Sequence, residues 1–445
     1  MNSRFIGLLL FLTVSFANAS DYELLIDSSP SHRAEIQNKL AKNDTNTLNT
    51  KVTVNSDIQH AVIGDSISFK NQGKNYHITI EKKITHSNND TSLIGYIDNA
   101  ENRVIITKGS NGSNAIINTA DGLFKIEIKN NEEHLLTPDK LKSYIAAGNE
   151  NDGIIPDISR IENTQNDDER SFPTANAAPV GVATIDIMVL YTPELVSSLG
   201  SVSAVQSRIN QLISVTNTSY TDSEMSMQLN LVHSEEIDAD NDSSSGAALA
   251  QMQSGSGVFS NVDALRTSKG ADLVVLMRDF KQLHSGSCGI AYILGNAATG
   301  TMPNSDKAYG YSIVQNGDYT VGNSIFFCSD YSFAHEVGHN FGFAHDRDHA
   351  GSGGIFDYSY GHDDGSGTFA TVMSYDRPQA GKFSNPNIDC NGSPCGIVEG
   401  LANSANNAKS GNEVRFDIAG FYAPVVNPQD SNAIILIIQM LLLDQ

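Results

Sequence analysis

Basic side chains are scarce: 28 lysines and arginines stand against 51 aspartates and glutamates, leaving a net charge of −23. Such a balance excludes nucleic acid as a partner and argues against binding to an anionic membrane surface. Cysteine is nearly absent. Four occur, none in a Cys-x-x-Cys pair, so a cysteine-based zinc site has no support. No apolar run reaches bilayer length; residues 5–16 and 434–443 are both too short to span. Glycine-rich nonapeptide repeats of the calcium-binding kind are missing. Asp238, Asp240 and Asp242 alternate, yet Ser243 and Leu249 stand where a calcium loop needs a glycine and an acid, so calcium finds no support here.

What is present divides the chain. Arg4, the apolar residues 5–16 and Ala17-Asn18-Ala19 have the form of a secretory signal covering residues 1–19, which predicts export: secreted, with the periplasm as a stage in transit. Residues 20–150 carry short β-rich runs at 66–69, 76–80, 92–97, 103–107 and 123–128, with a helix expected around 32–40. Residues 151–179 are polar and poor in apolar clusters, an exposed linker and activation region. From 180 to 424 strand and helix patterns alternate: strands at 184–191, 227–233, 271–277, 289–294 and 309–314, and a helix at 202–220. The tail at 425–445 reads as a packed helix or a partner-docking segment. An even cysteine count in an exported chain suggests two disulfides, with three pairings open; Asn391-Gly392-Ser393-Pro394 is a turn that brings Cys390 to Cys395 and leaves Cys288 to Cys328.

The densest chemistry lies in His335-Glu336-Val337-Gly338-His339-Asn340-Phe341-Gly342-Phe343-Ala344-His345-Asp346. Residues four apart on a helix share a face, so His335 and His339 can present ring nitrogens to one zinc at about 2.0 Å. Gly342 lets the chain turn and return His345 as a third ligand. Three protein ligands leave a position for water, the mark of a catalytic zinc. Glu336, on the same helix but not a ligand, is placed to act as general base.

This motif, followed by Val372-Met373-Ser374-Tyr375, resembles the metzincin metalloproteases, whose buried methionine turn Met373 would supply. Asp346 after the third histidine is similar to the adamalysin or reprolysin branch, whereas Tyr375 is similar to the tyrosine of astacins and serralysins. The combination resembles bacterial reprolysin-like secreted proteases, including peptidyl-Asp metalloendopeptidases. The resemblance covers residues 180–423. It implies an α+β catalytic domain, a twisted mixed sheet over the zinc helix; the small β-rich segment before it, from its place between the signal and the linker, is expected to be a removable pro-domain that silences the protease. It also implies cleavage of internal bonds in protein or peptide substrates, with Tyr375 as an extra ligand or oxyanion donor. Asp376-Arg377-Pro378 would then wall the pocket after the scissile bond, where Arg377 would favour an acidic side chain. With no cysteine in residues 20–170, latency needs a carboxylate or histidine, and Asp65 is the candidate. A zinc-bearing adhesion protein and a zinc hydrolase on a non-protein substrate are the rival classes; retention of Glu336 argues against the first.

Overall fold

A computed structural model describes residues 19–26, 50–71, 73–138, 141, 145–146, 152–156, 181–281 and 287–425. The signal, the expected helix at 32–40, most of the linker and the tail beyond 425 lie outside these residues. No described helix is long and apolar enough to cross a membrane.

The first half builds one nine-stranded sheet from β1 (Asp21–Glu23), β2 (Thr50–Val52), β3 (Ser66–Asn71), β4 (Lys74–Thr85), β5 (Thr91–Ile97), β6 (Asn99–Gly109), β7 (Gly112–Thr119), β8 (Gly122–Lys129) and β9 (Glu132–Leu136). Their order is β1-β3-β4-β5-β6-β7-β8-β9-β2, and a bridge between Leu25 and Val54 joins the two ends, so the sheet curls into a barrel. Alternation decides which side chains fill it. Leu93, Val104, Ile106, Ala115, Ile117 and Ile126 point inward, while Ile94, Ile105 and Ile116 point outward and join the core of the second half. Strand β7 escapes the sequence reading because its polar residues (Ser113, Asn114) are buried by a neighbour the sequence does not reveal.

Two short strands follow, β10 (Ile145–Ala146) and β11 (Gly153–Ile154). The second half then lays down β12 (Ala183–Tyr191), α1 (Pro193–Leu199), α2 (Val202–Asp222), β13 (Met227–Glu236), α3 (Ser245–Ser254), α4 (Val262–Lys269), β14 (Leu273–Asp279), β15 (Gly289–Tyr292), β16 (Tyr311–Asn316), β17 (Asp318–Val321), β18 (Ser324–Phe327), α5 (Ser332–Asn340) and α6 (Asn407–Ile418). The main sheet runs β11-β15-β16-β14-β12-β13; β15 is antiparallel to β16, and every other pair is parallel. Near-continuous burial of β12 and β14 is what strands covered on both faces require. Helix α5 packs beneath the sheet: Asn340 donates to the carbonyls of Tyr292 (2.9 Å) and Tyr311 (3.3 Å).

Helix α2 is buried on opposite faces. Val205, Ile209 and Leu212 join the core, while Ser207, Asn210, Gln211 and Ser214 hydrogen-bond to Asp90, Asn88, the Ile105 carbonyl and Ser92 of the barrel. The barrel therefore docks through polar groups, apart from its outward isoleucines. Two ion pairs add to this contact. Arg103 of β6 holds Asp222 at 2.6 and 2.7 Å, and Lys125 of β8 reaches Asp330 at 3.0 Å.

Asp330 lies just before α5 and also takes a bidentate grip from Arg208 at 2.6 and 2.8 Å, with both residues buried. Burial alone would push this carboxyl up, but Arg208 and then Lys125 outweigh it and hold it well below the ordinary carboxylate range. A depressed folded-state pKa contributes stability above the unfolded value and loses it as pH falls through the folded one. Removing one member of a buried pair costs about 3–5 kcal/mol. Asp330→Ala is therefore expected to lower the thermal midpoint clearly at pH 7 and to flatten the acid limb of the stability curve, measured by calorimetry between pH 2 and 7.

Candidate active site

The end of α5 is set by Gly342, at φ +76°. The Phe343 amide donates to the Gly338 carbonyl (3.2 Å) and the Gly342 amide to His339 (2.8 Å), the paired bonds of a Schellman stop. This stop turns the Phe343 carbonyl onto His339 Nδ1 at 2.8 Å. The chain then runs back beside Ser359, whose carbonyl accepts from Ala344 at 2.8 Å, and delivers His345 to the same point as His335 and His339. All three are buried.

Two of the rings are aimed by their far nitrogens. His335 Nδ1 lies 2.8 Å from the Val372 carbonyl, as His339 Nδ1 does from that of Phe343. A carbonyl accepts only, so both Nδ1 atoms carry the proton and both Nε2 atoms point lone pairs inward. His339 Nε2 and His345 Nε2 stand 3.1 Å apart, and His335 Nε2 has no hydrogen-bond partner. Converging acceptors of this kind are reconciled by a cation, and three imidazoles suit zinc.

A fourth acceptor joins them. Asp152 Oδ1 lies 2.6 Å from His345 Nε2 and 3.3 Å from His339 Nε2, and Oδ2 lies 3.7 Å from His335 Nε2. These four residues have ligand atoms within 4.8 Å of one another, the only such group among the described residues. Burial would raise the Asp152 carboxyl, yet the three histidines that face it hold it well below its usual range. Burial pushes His339 down to about 4.

Glu336 points to the same space from α5. It is buried, with Oε2 unpartnered. Burial first, and the Asp152 charge second, push its pKa well above the ordinary value. Gly289 of β15 makes room for it: a Cβ there would overlap Glu336 Oε1 and the Ile313 carbonyl. Beneath the helix, fully buried Met373 packs its sulfur where a Cβ on Gly338 would stand. Tyr375 Oη is 3.0 Å from His345 Nε2, and its pKa is raised by burial and by Asp152. Asp346 secures the turn after the third histidine, accepting from the Asp348 amide (3.1 Å), the His349 amide (3.2 Å) and His349 Nδ1 (2.8 Å).

Other expected residues sit further out. Arg377 places its guanidinium 4.8 Å over the Phe327 ring; it keeps a solvent-open flank, while dense protein on the other side lowers its pKa to about 10. No carboxylate pairs with it among the described residues. Cys288–Cys328 and Cys390–Cys395 are disulfides, the first tying the start of β15 to the approach of α5. Asp242 of the acidic loop pairs with Lys281 at 2.7 Å, and Arg278 bonds the Asp240 and Ser243 carbonyls.

Two expectations are corrected. Asp65 is not near the histidines: its carboxylate caps a barrel turn, accepting from the Ser20 (2.8 Å) and Val62 (2.9 Å) amides. Residues 152–156 are not exposed linker, because β11 adds to the edge of β15 and Asp152 and Pro156 are buried. Asp152 was missed because it is one of four aspartates in the polar stretch at 151–179, which carries no periodicity to single it out.

Three imidazoles meeting at one point, with a buried carboxylate one residue from the first, define a metal-dependent hydrolase site. The model of Metallo-peptidase family M12B Reprolysin-like matches residues 181–401, and this part of the chain belongs to that family; residues 30–139 match a BamI lipocalin-like domain. A peptidyl-Asp metalloendopeptidase of Pseudomonas aeruginosa is 31% identical over 250 residues, 52% of this chain but 39% of that protein, so the chain spans well under two thirds of its length. One from Stenotrophomonas maltophilia is 26% identical over 337 residues, covering 73% of this chain and 72% of its own. Among solved structures, metalloproteinase-II from Bacteroides fragilis aligns with 13% identity and a TM-score of 0.37, over 66% of this chain and 87% of that one.

A Cβ at position 342 would meet the Leu294 carbonyl and Ile355 as well as the strain of positive φ, which costs roughly 1–2 kcal/mol. Gly342→Ala is expected to displace His345 and weaken zinc binding at least about tenfold. Competition against a chromogenic chelator measures it.

Proposed function

We propose that this chain is the precursor of a secreted zinc endopeptidase that hydrolyses internal peptide bonds. The observation that carries this reading is the convergence of the His335, His339 and His345 ring nitrogens beside a buried Glu336 whose Oε2 has no hydrogen-bond partner among the described residues. When bound, zinc lowers the pKa of a water and polarises a substrate carbonyl. Glu336 removes a proton from the attacking water and passes it to the leaving amine nitrogen. Tyr375 Oη donates to the oxyanion that develops at the carbonyl. The edge of β15 aligns the substrate as an added strand, and the barrel at 20–150 acts as an inhibitory pro-domain.

Glu336→Ala is expected to keep its zinc but lose about 10²–10⁴ in turnover, because the base goes while the ligands stay. Metal analysis beside a peptide assay checks it; loss of zinc, or near-normal rates, would remove Glu336 from this role.

Arg377 supports a preference for Asp or Glu after the scissile bond, since a guanidinium without a carboxylate partner is free to bind one. The names of the curated relatives are consistent with an acidic specificity. Arg377→Ala should reduce kcat/KM on peptides with an acid there by roughly 10- to 100-fold, the worth of a charge-assisted hydrogen bond, and leave apolar sites little changed. Mapping new amino termini in a digested protein mixture provides the readout.

A further inference from the structure

We propose that Asp152 is a fourth protein ligand to the metal in the intact chain, and that Asp152-Gly153-Ile154 is the plug that holds the enzyme latent. This deepens the zinc-endopeptidase reading and rests on it.

Three independent features of the structure carry the proposal. Asp152 brings a carboxylate oxygen to the meeting point of the three Nε2 atoms, and this residue is itself only 4% exposed. A carboxylate and three imidazoles complete the tetrahedral set of a closed site, which leaves no position for water. Gly153 lies so close to His339 and Ile293 that a Cβ would come within 3.1 Å of the His339 ring and 2.7 Å of Ile293 Cδ1, so only glycine lets the backbone approach this far. The carbonyls of Asp152 and Ile154 accept from the amides of Ala291 and Ile293, both at 2.8 Å, and so occupy the edge donors that an added substrate strand would use.

The same bonds explain why the plug survives. The Asp152 backbone carbonyl is turned to the strand, and its side chain, not a peptide bond, meets the histidines. Strand β11 runs parallel to β15. A cut anywhere after Pro156 leaves Asp152 joined to the barrel, which is itself clamped to α2 by Arg103–Asp222 and to the approach of α5 by Lys125–Asp330. Activation therefore takes a cut followed by departure of the barrel with its plug.

The test uses the full chain carrying Glu336→Ala, so that it cannot digest itself, loaded with cobalt(II) or zinc. Asp152→Asn, which keeps the size, and Gly153→Val, which leaves the carboxylate but blocks its approach, are each compared with the parent. Both variants should change the cobalt absorption bands and speed zinc loss to a chelator by about 10- to 100-fold, as removal of a ligand does. Circular dichroism confirms that each is folded. Identical spectra and release rates in folded Asp152→Asn would overturn the proposal, as would a parent whose bands show an open site. A parent that binds no metal at all would instead overturn the zinc reading itself. In the Glu336 background left intact, uncut Asp152→Asn should cleave a short peptide while the uncut parent does not; equal latency in both would also count against the plug.

Discussion

Everything in the second half is arranged around an electrostatic problem: three imidazole nitrogens, two of them 3.1 Å apart, converge on one point out of reach of bulk water. Left to themselves they repel. They are held there because two rings are fixed from behind by the Val372 and Phe343 carbonyls and the third, His345, packs against the tilted ring of Tyr375 at 4.5 Å. A divalent cation turns that repulsion into attraction, which makes metal binding part of the folding of this region.

The supports of those rings reach through the whole domain. Val372 is held by the methionine turn, which packs under Gly338; Phe343 is held by the Schellman stop; Asn340 ties the helix to two strands of the sheet. A single small residue is required at each close approach, at 289 for Glu336, at 338 for Met373 and at 153 for the leader. Spacing on a helix is therefore only the first condition for the site. The second is a shell of main-chain carbonyls and glycines from distant segments.

The barrel meets this machinery with a different chemistry. Its interior is apolar and closed on itself, whereas its contact with α2 is rich in serine, asparagine, glutamine and ion pairs. Polar contacts of this kind can be rehydrated when two bodies separate, while an apolar core cannot. The two halves are thus joined by a mixed surface, outward isoleucines of the barrel together with these polar groups, and the strand at 153–154 pairs with the edge of the second half's main sheet.

The sequence by itself determined which three histidines converge, because helical spacing of four and a glycine stop are local rules that need no partner. It also determined most strands of both halves, since β12, β14 and the barrel strands carry their own apolar patterns, and the two disulfides, one of them through the turn at 391–394. It did not determine β7, whose buried serine and asparagine read as surface until the neighbouring helix covers them, nor the fate of Asp65, which spends its carboxylate on a local turn. Tertiary structure alone decided that Asp152 stands among the histidines. It is 183 residues from His335 along the chain, so no periodicity links the two; only the registration of β11 on β15, set by two main-chain hydrogen bonds, carries that carboxylate to the site.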